Sequence, residues 1–192
     1  MDLLPDTPRY NKLKLQWQPI SRFNHSTLAG KLRRLLADHG SLTRHLNRYC
    51  PEKVGISIKN QSWQTPLAEE RKSLMLPDRT NAFVREVFLT CQEQPWVYGR
   101  SILPAMTVSG SERRLLNWGN KSLGDYLFTS GHCRRGPIEV TQIPSGNALH
   151  QMCGLRKNIS SPLWGRRSIF YIRNKPLLVI EILLPALYKS IA

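Results

Sequence analysis

Two charged residues interrupt stretches that a sheet-forming sequence would keep apolar. In Phe83-Val84-Arg85-Glu86-Val87-Phe88-Leu89, the period of two aligns Arg85 with Phe83, Val87 and Leu89, while Glu86 joins Val84 and Phe88 on the opposite face. Glu181 separates Leu177-Leu178-Val179-Ile180 from Ile182-Leu183-Leu184, so both faces of its strand are apolar. A carboxylate so placed needs a partner, a proton or a polar cavity. Ser41-Leu42-Thr43 and Ser122-Leu123-Gly124 have the form of a capping serine followed by a first helical turn. The free backbone N–H groups of such a turn suit a carboxylate. Each feature also has an ordinary structural reading. Arg85 can snorkel to a sheet edge, Arg and Glu can form a structural bridge, and the serines can simply cap. Together they permit a pocket for an anion, lined by one cation and one acid.

The elements that must position these residues are legible in part. Leucines at 28, 32, 35 and 36 recur at helical spacing behind Ser26–Thr27, and a second helix beginning at Ser41 carries Leu42, Leu46 and Tyr49. Val54, Ile56 and Ile58 alternate as a half-buried strand, and residues 64–80 are polar and proline-punctuated, hence a loop. Strands are expected over Ala82–Cys91 and Trp96–Leu103, with the turn at Gln92–Pro95. Ser111 to Phe128 reads as two short helices broken near Gly119–Lys121, and Pro137–Thr141 as a strand. Residues 142–162 read as a loop with one helical turn. Arg167–Arg173 and Pro176–Leu184 flank a two-residue connection at Asn174–Lys175. Early and middle helices with hairpin-joined strands imply an α+β fold on an antiparallel sheet. Residues 1–192 are expected to form one domain behind an irregular segment over 1–20.

Composition narrows the partners. The chain has 28 basic and 13 acidic residues, a formal charge of +15, which favours an anionic partner. The charges are scattered, and no zinc-finger spacing, RNP-like motif or GxxG loop accompanies them, so a nucleic-acid partner is not expected. His25, His39, His45, His132 and His150 show no metal-ligand spacing, so no metal is expected. Cys50, Cys91, Cys133 and Cys153 form no C-x-x-C element, and the N-terminus does not resemble a secretory signal. Free thiols in a reducing cytoplasm follow. The longest apolar run, Leu177 to Leu184, contains Glu181 and is far short of the roughly 20 residues of a membrane helix, so no stable membrane insertion is expected.

In order along roughly 80–188, the segments resemble the bacterial chorismate lyase family of ubiquinone biosynthesis. The matching stretches are Val84-Arg85-Glu86-Val87-Phe88-Leu89, Gln94-Pro95-Trp96 through Gly99-Arg100 to Pro104, and Leu123-Gly124-Asp125-Tyr126-Leu127-Phe128-Thr129-Ser130. Leu163-Trp164-Gly165-Arg166-Arg167-Ser168 and Lys175-Pro176-Leu177-Leu178, continuing through Glu181 to Leu184-Pro185, complete the set. The resemblance implies a six-stranded antiparallel sheet with helices, and two helix–turn–helix flaps over an internal ligand cavity. It implies cofactor-free conversion of chorismate to 4-hydroxybenzoate and pyruvate by a monomeric, cytoplasmic, product-inhibited enzyme at the first committed step of that pathway. Arg85 would bind the ring carboxylate, helped by the backbone amides of Leu42 and Leu123, and Glu181 would contact the ring hydroxyl. Arg85 and Glu181 are the expected catalytic pair. Arg166 and Arg167 are conceivable partners for the second carboxylate, with a solvated surface pair the plainer reading. The rival is a non-catalytic domain of the same fold that senses small aromatic acids, as in some transcription regulators. Those carry an N-terminal DNA reader, for which the residues before Ser21 leave no room.

Overall fold

In the computed structural model, residues 14–23, 28, 30–155 and 161–191 are described. The Ser26–Thr27 helix start lies outside them. The chain runs through β1 (Gln18–Pro19), α1 (Gly30–Ala37), α2 (Leu42–Leu46), β2 (Gly55–Gln64) and α3 (Ala68–Ser73). The hairpin β3 (Ala82–Cys91) and β4 (Gln94–Pro104) follows, then a 3-10 helix over Gly110–Asn117 and α4 (Leu123–Thr129). The last third holds β5 (Cys133–Arg135), β6 (Glu139–Ile143), α5 (Ala148–Met152), β7 (Leu163–Ile172), β8 (Lys175–Leu183) and α6 (Pro185–Ile191).

The fold is α+β on one antiparallel sheet, in the order β1-β6-β7-β8-β4-β3-β2, with β5 also paired to β7. Among the described residues it has eight strands rather than the expected six. The two additions, β1 and β5, are too short for any periodicity to announce them. β1 pairs with β6 through Gln18 and Pro19, so the segment expected to be irregular over 1–20 is partly ordered by the sheet. Residues 64–80 are likewise not all loop, since α3 begins two residues beyond Pro66, where Glu70 accepts from the Leu67 N–H in a capping arrangement. Both long hairpins turn through two residues in the left-handed region: Gln92 and Glu93 at φ 47 and 63, Arg173 and Asn174 at φ 48 and 67. Such turns match the right-handed twist of the flanking strands. The second lies one residue earlier than expected, because Lys175 already pairs with Ile172.

Both faces of the sheet are covered, which is why β3 is buried almost throughout rather than on one side. On one face, Val84, Tyr98, Ile102, Ile180 and Ile182 pack with Leu74 just after α3 and with Leu149 of α5. The charges on this face bond one another. Arg100, 2% exposed, donates from Nε to Glu70 Oε1 at 2.7 Å and from Nη1 to Glu86 Oε1 at 3.1 Å, and the Tyr98 hydroxyl donates to the same Glu86 oxygen. Burial alone would push the Glu86 carboxyl up, but Tyr98, Arg100, Lys59 and Asn60 outweigh it and hold it below its usual value. On the other face the apolar packing divides. One cluster joins Leu89, Val97 and Leu183 to α1, α2 and α6, and another joins Phe83, Leu103 and Leu177 to α4.

The free thiols expected of all four cysteines need correction: Cys50, just beyond α2, is disulfide-bonded to Cys91 at the end of β3, with Cα atoms 5.8 Å apart. The partners are 41 residues apart in sequence, and only the folded path from α2 across β2 and β3 brings them together. Cys133 and Cys153 are free thiols.

Arg100→Leu should leave two buried carboxylates without their cation, costing about 3–5 kcal/mol in urea unfolding. Because the folded pKa of Glu86 lies below the unfolded value, its stabilisation is present above the unfolded pKa and lost as pH falls through the folded one. Stability of Glu86→Gln should therefore depend less steeply on pH below about 4.3 than that of the wild type.

Candidate functional site

Between the two apolar clusters lies a cavity lined by Leu42, Arg85, Leu123 and Glu181, the four residues singled out from sequence, together with Arg135 and Arg166. The floor is the sheet. Arg85 of β3 pairs with Ser101 of β4, and the next row on the same face joins Val87, Gly99, Glu181 and Arg166 across β3, β4, β8 and β7. The roof is formed by α2 and α4. The Ser41 hydroxyl accepts from the Arg44 N–H at 3.3 Å, and the Ser122 hydroxyl accepts from the Asp125 N–H at 3.0 Å. Each serine thus caps a later amide of its first turn, leaving the preceding amides at Leu42 and Leu123 without a helical partner. Arg44 and Asp125 approach to 3.9 Å across the two covers, an exposed and therefore weak contact.

Arg85 is 3% exposed and has no carboxylate partner among the described residues. Its Nη2 donates to the carbonyls of Gly119 at 2.9 Å and Lys121 at 3.1 Å, in the loop that leads into α4. Its Nε, buried, meets no acceptor. Burial pushes the guanidinium down to about 10, which still leaves it protonated at neutral pH. A buried positive charge served only by two carbonyls is a costly arrangement that an anion would relieve.

Glu181 is not bonded to Arg85, so the structural bridge between those two does not form. Its Oε2 accepts from Arg166 Nε at 2.6 Å, while no group among the described residues donates to Oε1. Arg166 is 1% exposed, and its Nη1 also donates to the carbonyls of Leu35 at 2.9 Å and Asp38 at 2.8 Å. Arg166 and Arg167 are thus no solvated surface pair. Adjacent strand residues point to opposite faces, so Arg166 faces the cavity while Arg167 bonds Glu139 at 2.8 Å on the other side.

The cavity is small, about 50 Å³. An engineered cavity that takes up benzene has about 150 Å³, so an aromatic ligand requires this cavity to widen. Beyond the charged residues, the polar side chains of the lining are Ser41, Thr43, Ser101 and Ser122, and no cluster of His, Cys, Asp and Glu able to hold a metal occurs among the described residues.

Comparison with known proteins matches residues 13–192 to the family model described as chorismate lyase. The chain belongs to the chorismate lyase family. It is 41% identical over 161 residues to a probable chorismate pyruvate-lyase from Marinobacter nauticus, covering 84% of this chain and 80% of that one. It is 33% identical over 151 residues to the chorismate pyruvate-lyase of Hamiltonella defensa, covering 79% and 76%. Among solved structures, the ligand-binding domain of a GntR-family transcriptional regulator from Bordetella bronchiseptica is similar at TM-score 0.51 and 17% identity, covering 71% of this chain and 88% of that one. The C-terminal domain of a histidine utilization repressor from Pseudomonas syringae is similar at TM-score 0.51 and 11% identity, covering 69% and 92%. These likenesses concern the fold alone.

In this lyase-family chain, sequence reasoning missed Arg135 and left Arg166 unplaced. For Arg166 the period of two carries only its face, the one it shares with Ser168; that it stands directly opposite Glu181 depends on the turn at Arg173–Asn174. Arg135 stands at the end of a three-residue strand and carried no such signal. The serine caps that start the roof helices give a direct test. Ser122→Ala should cost about 1 kcal/mol and speed hydrogen exchange at the Asp125 amide, with β3 amides unchanged.

Proposed function

We propose that this cavity is where chorismate is cleaved to 4-hydroxybenzoate and pyruvate. The observation that carries the reading is Arg85: a buried guanidinium facing a cavity, without a carboxylate partner among the described residues, beneath two helix starts with unpaired amides. Chorismate has a ring carboxylate, a ring hydroxyl and an enolpyruvyl ether carrying a second carboxylate. When the ether bond from the ring carbon to oxygen breaks and the ring gives up the hydrogen beside its hydroxyl, the ring becomes aromatic. The departing enolpyruvate takes up one proton at its methylene carbon and becomes pyruvate. Aromatisation makes the reaction downhill, so the protein has chiefly to hold a reactive conformer and stabilise the charge of the leaving group.

Arg85 clamps the ring carboxylate as a bidentate pair, with the Leu42 and Leu123 amides donating to the same group. Glu181, its Oε2 fixed by Arg166, offers Oε1 to the ring hydroxyl. No cofactor enters this scheme. The chain acts as one lyase domain and as a monomer in the cytoplasm, without nucleic acid. Its basic surface draws in a dianion. A sensor of the same fold would bind the aromatic acid and turn nothing over, so catalysis separates the two readings.

Purified protein incubated with chorismate should yield 4-hydroxybenzoate and pyruvate in equal amounts by chromatography, at a rate unaffected by EDTA. Activity that returns only with a divalent ion, or 3-hydroxybenzoate as the product, would sink the scheme.

The two central residues should separate by their effects. Arg85→Ala should weaken 4-hydroxybenzoate binding by more than a hundredfold in calorimetry, in line with about 3–5 kcal/mol for truncating one partner of a buried charge pair. Glu181→Gln should stay folded while its single-turnover rate falls at least tenfold, within the range of about 10²–10⁴ for acid–base groups. An unchanged chemical step in a folded Glu181→Gln protein would reduce Glu181 to a structural role.

A further inference from the structure

Besides Arg85 and Arg166, the cavity holds a third guanidinium, for which neither ring carboxylate binding nor Glu181 gives a use. Arg135 leaves the end of β5 and reaches back along β7, where its Nε donates to Ser168 Oγ at 3.0 Å. Its Nη1 donates to the carbonyls of His39 at 3.0 Å and Asp38 at 3.3 Å, in the turn between α1 and α2. The guanidinium stacks over Phe170 at 5.1 Å and Phe128 at 5.7 Å, and it lines the cavity. No carboxylate bridges it among the described residues, and nothing there accepts from its Nη2. Burial pushes it down to about 10 and neighbouring Arg166 presses the same way, with Glu181 and Asp38 opposing.

Its placement relative to Arg85 follows from the register. Arg85 pairs with Ser101, Ser101 with Val179, and Val179 with Ser168. Arg85 therefore stands at one end of a row crossing β3, β4, β8 and β7, and the serine that anchors Arg135 stands at the other. Three strand spacings separate their backbones, roughly 14 Å, and both side chains extend inward over the same floor. Glu181 lies on β8 between them, one step further along the same face. The cavity thus has an unpaired cation at each end and the acid between, a charge pattern that fits a dianion with carboxylates at opposite ends. A monoanion leaves one end unmatched.

Resting on the lyase reading above, we propose that Arg135 binds the enolpyruvyl carboxylate of chorismate and so distinguishes the dianionic substrate from the monoanionic product. Its Nη2 supplies the contact, Ser168 holds the guanidinium fork in the row of the ligand, and the two phenyl rings keep its plane fixed. Because the leaving group carries this carboxylate away as pyruvate, Arg135 engages it up to bond cleavage and has no partner in bound 4-hydroxybenzoate. Arg85, by contrast, serves substrate and product alike.

The test compares Arg135→Met with wild type for chorismate turnover and for 4-hydroxybenzoate affinity. Arg135→Met should lower kcat/KM for chorismate at least a hundredfold while the Kd for 4-hydroxybenzoate changes less than threefold. Arg85→Ala should weaken both. Arg135→Lys keeps the charge without the fork, and should recover at least tenfold of the lost kcat/KM. It also provides the test if the Met variant does not fold. Equal losses in substrate turnover and product affinity would mean that Arg135 only holds the α1–α2 turn, and would overturn the assignment. So would a folded Arg135→Met enzyme of normal kcat/KM, or a Lys variant that cleaves normally but loses product affinity. If the wild-type protein itself leaves chorismate intact, the failure lies in the lyase reading and precedes any question about Arg135.

Discussion

The cavity face is organised by the cost of keeping guanidinium charge away from water. Three arginines enter a space walled by leucine, valine and phenylalanine, and only Arg166 finds a carboxylate there. The others are solvated by backbone carbonyls: Gly119 and Lys121 for Arg85, Asp38 and His39 for Arg135. Those carbonyls belong to the loops that carry α4 and α2. The groups proposed to bind an anion are therefore the same groups that hold the roof in place, and the proposal links ligand binding to roof position through shared donors.

The opposite face shows what the same residue type does when it is purely structural. Arg100 lies between Glu70 and Glu86, and Tyr98 completes the bonding of the latter. That network is closed, with two acids around one cation. On the cavity face three cations meet one acid. Arg85 and Glu86 are chain neighbours, both buried, and the pleat turns them to opposite faces.

How much of this was legible depended on element length. Arg85 and Glu181 stood out because their strands are long enough for period two to define faces, and the helix starts stood out because serine capping has a local signature. α3 was hidden by the polar composition of Ala68–Ser73, whose buried member, Glu70, is fixed by Arg100 from a distant strand. β1 and β5 were too short to show alternation, so Arg135 could not be placed at all. The Cys50–Cys91 pairing depends on three elements meeting, and spacing along the chain carried no trace of it.

That disulfide gives the two halves of the roof unequal freedom. The segment after α2 is covalently pinned to β3, so α2 can pivot about that point but cannot lift away from it. α4 has no such pin: Gly119, at φ 62, begins its approach, and hydrogen bonds from Arg85 to the Gly119 and Lys121 carbonyls restrain it. The doorway into the cavity therefore has a fixed jamb and a swinging leaf. The latch on the leaf is Arg85, the residue proposed above to clamp the ring carboxylate.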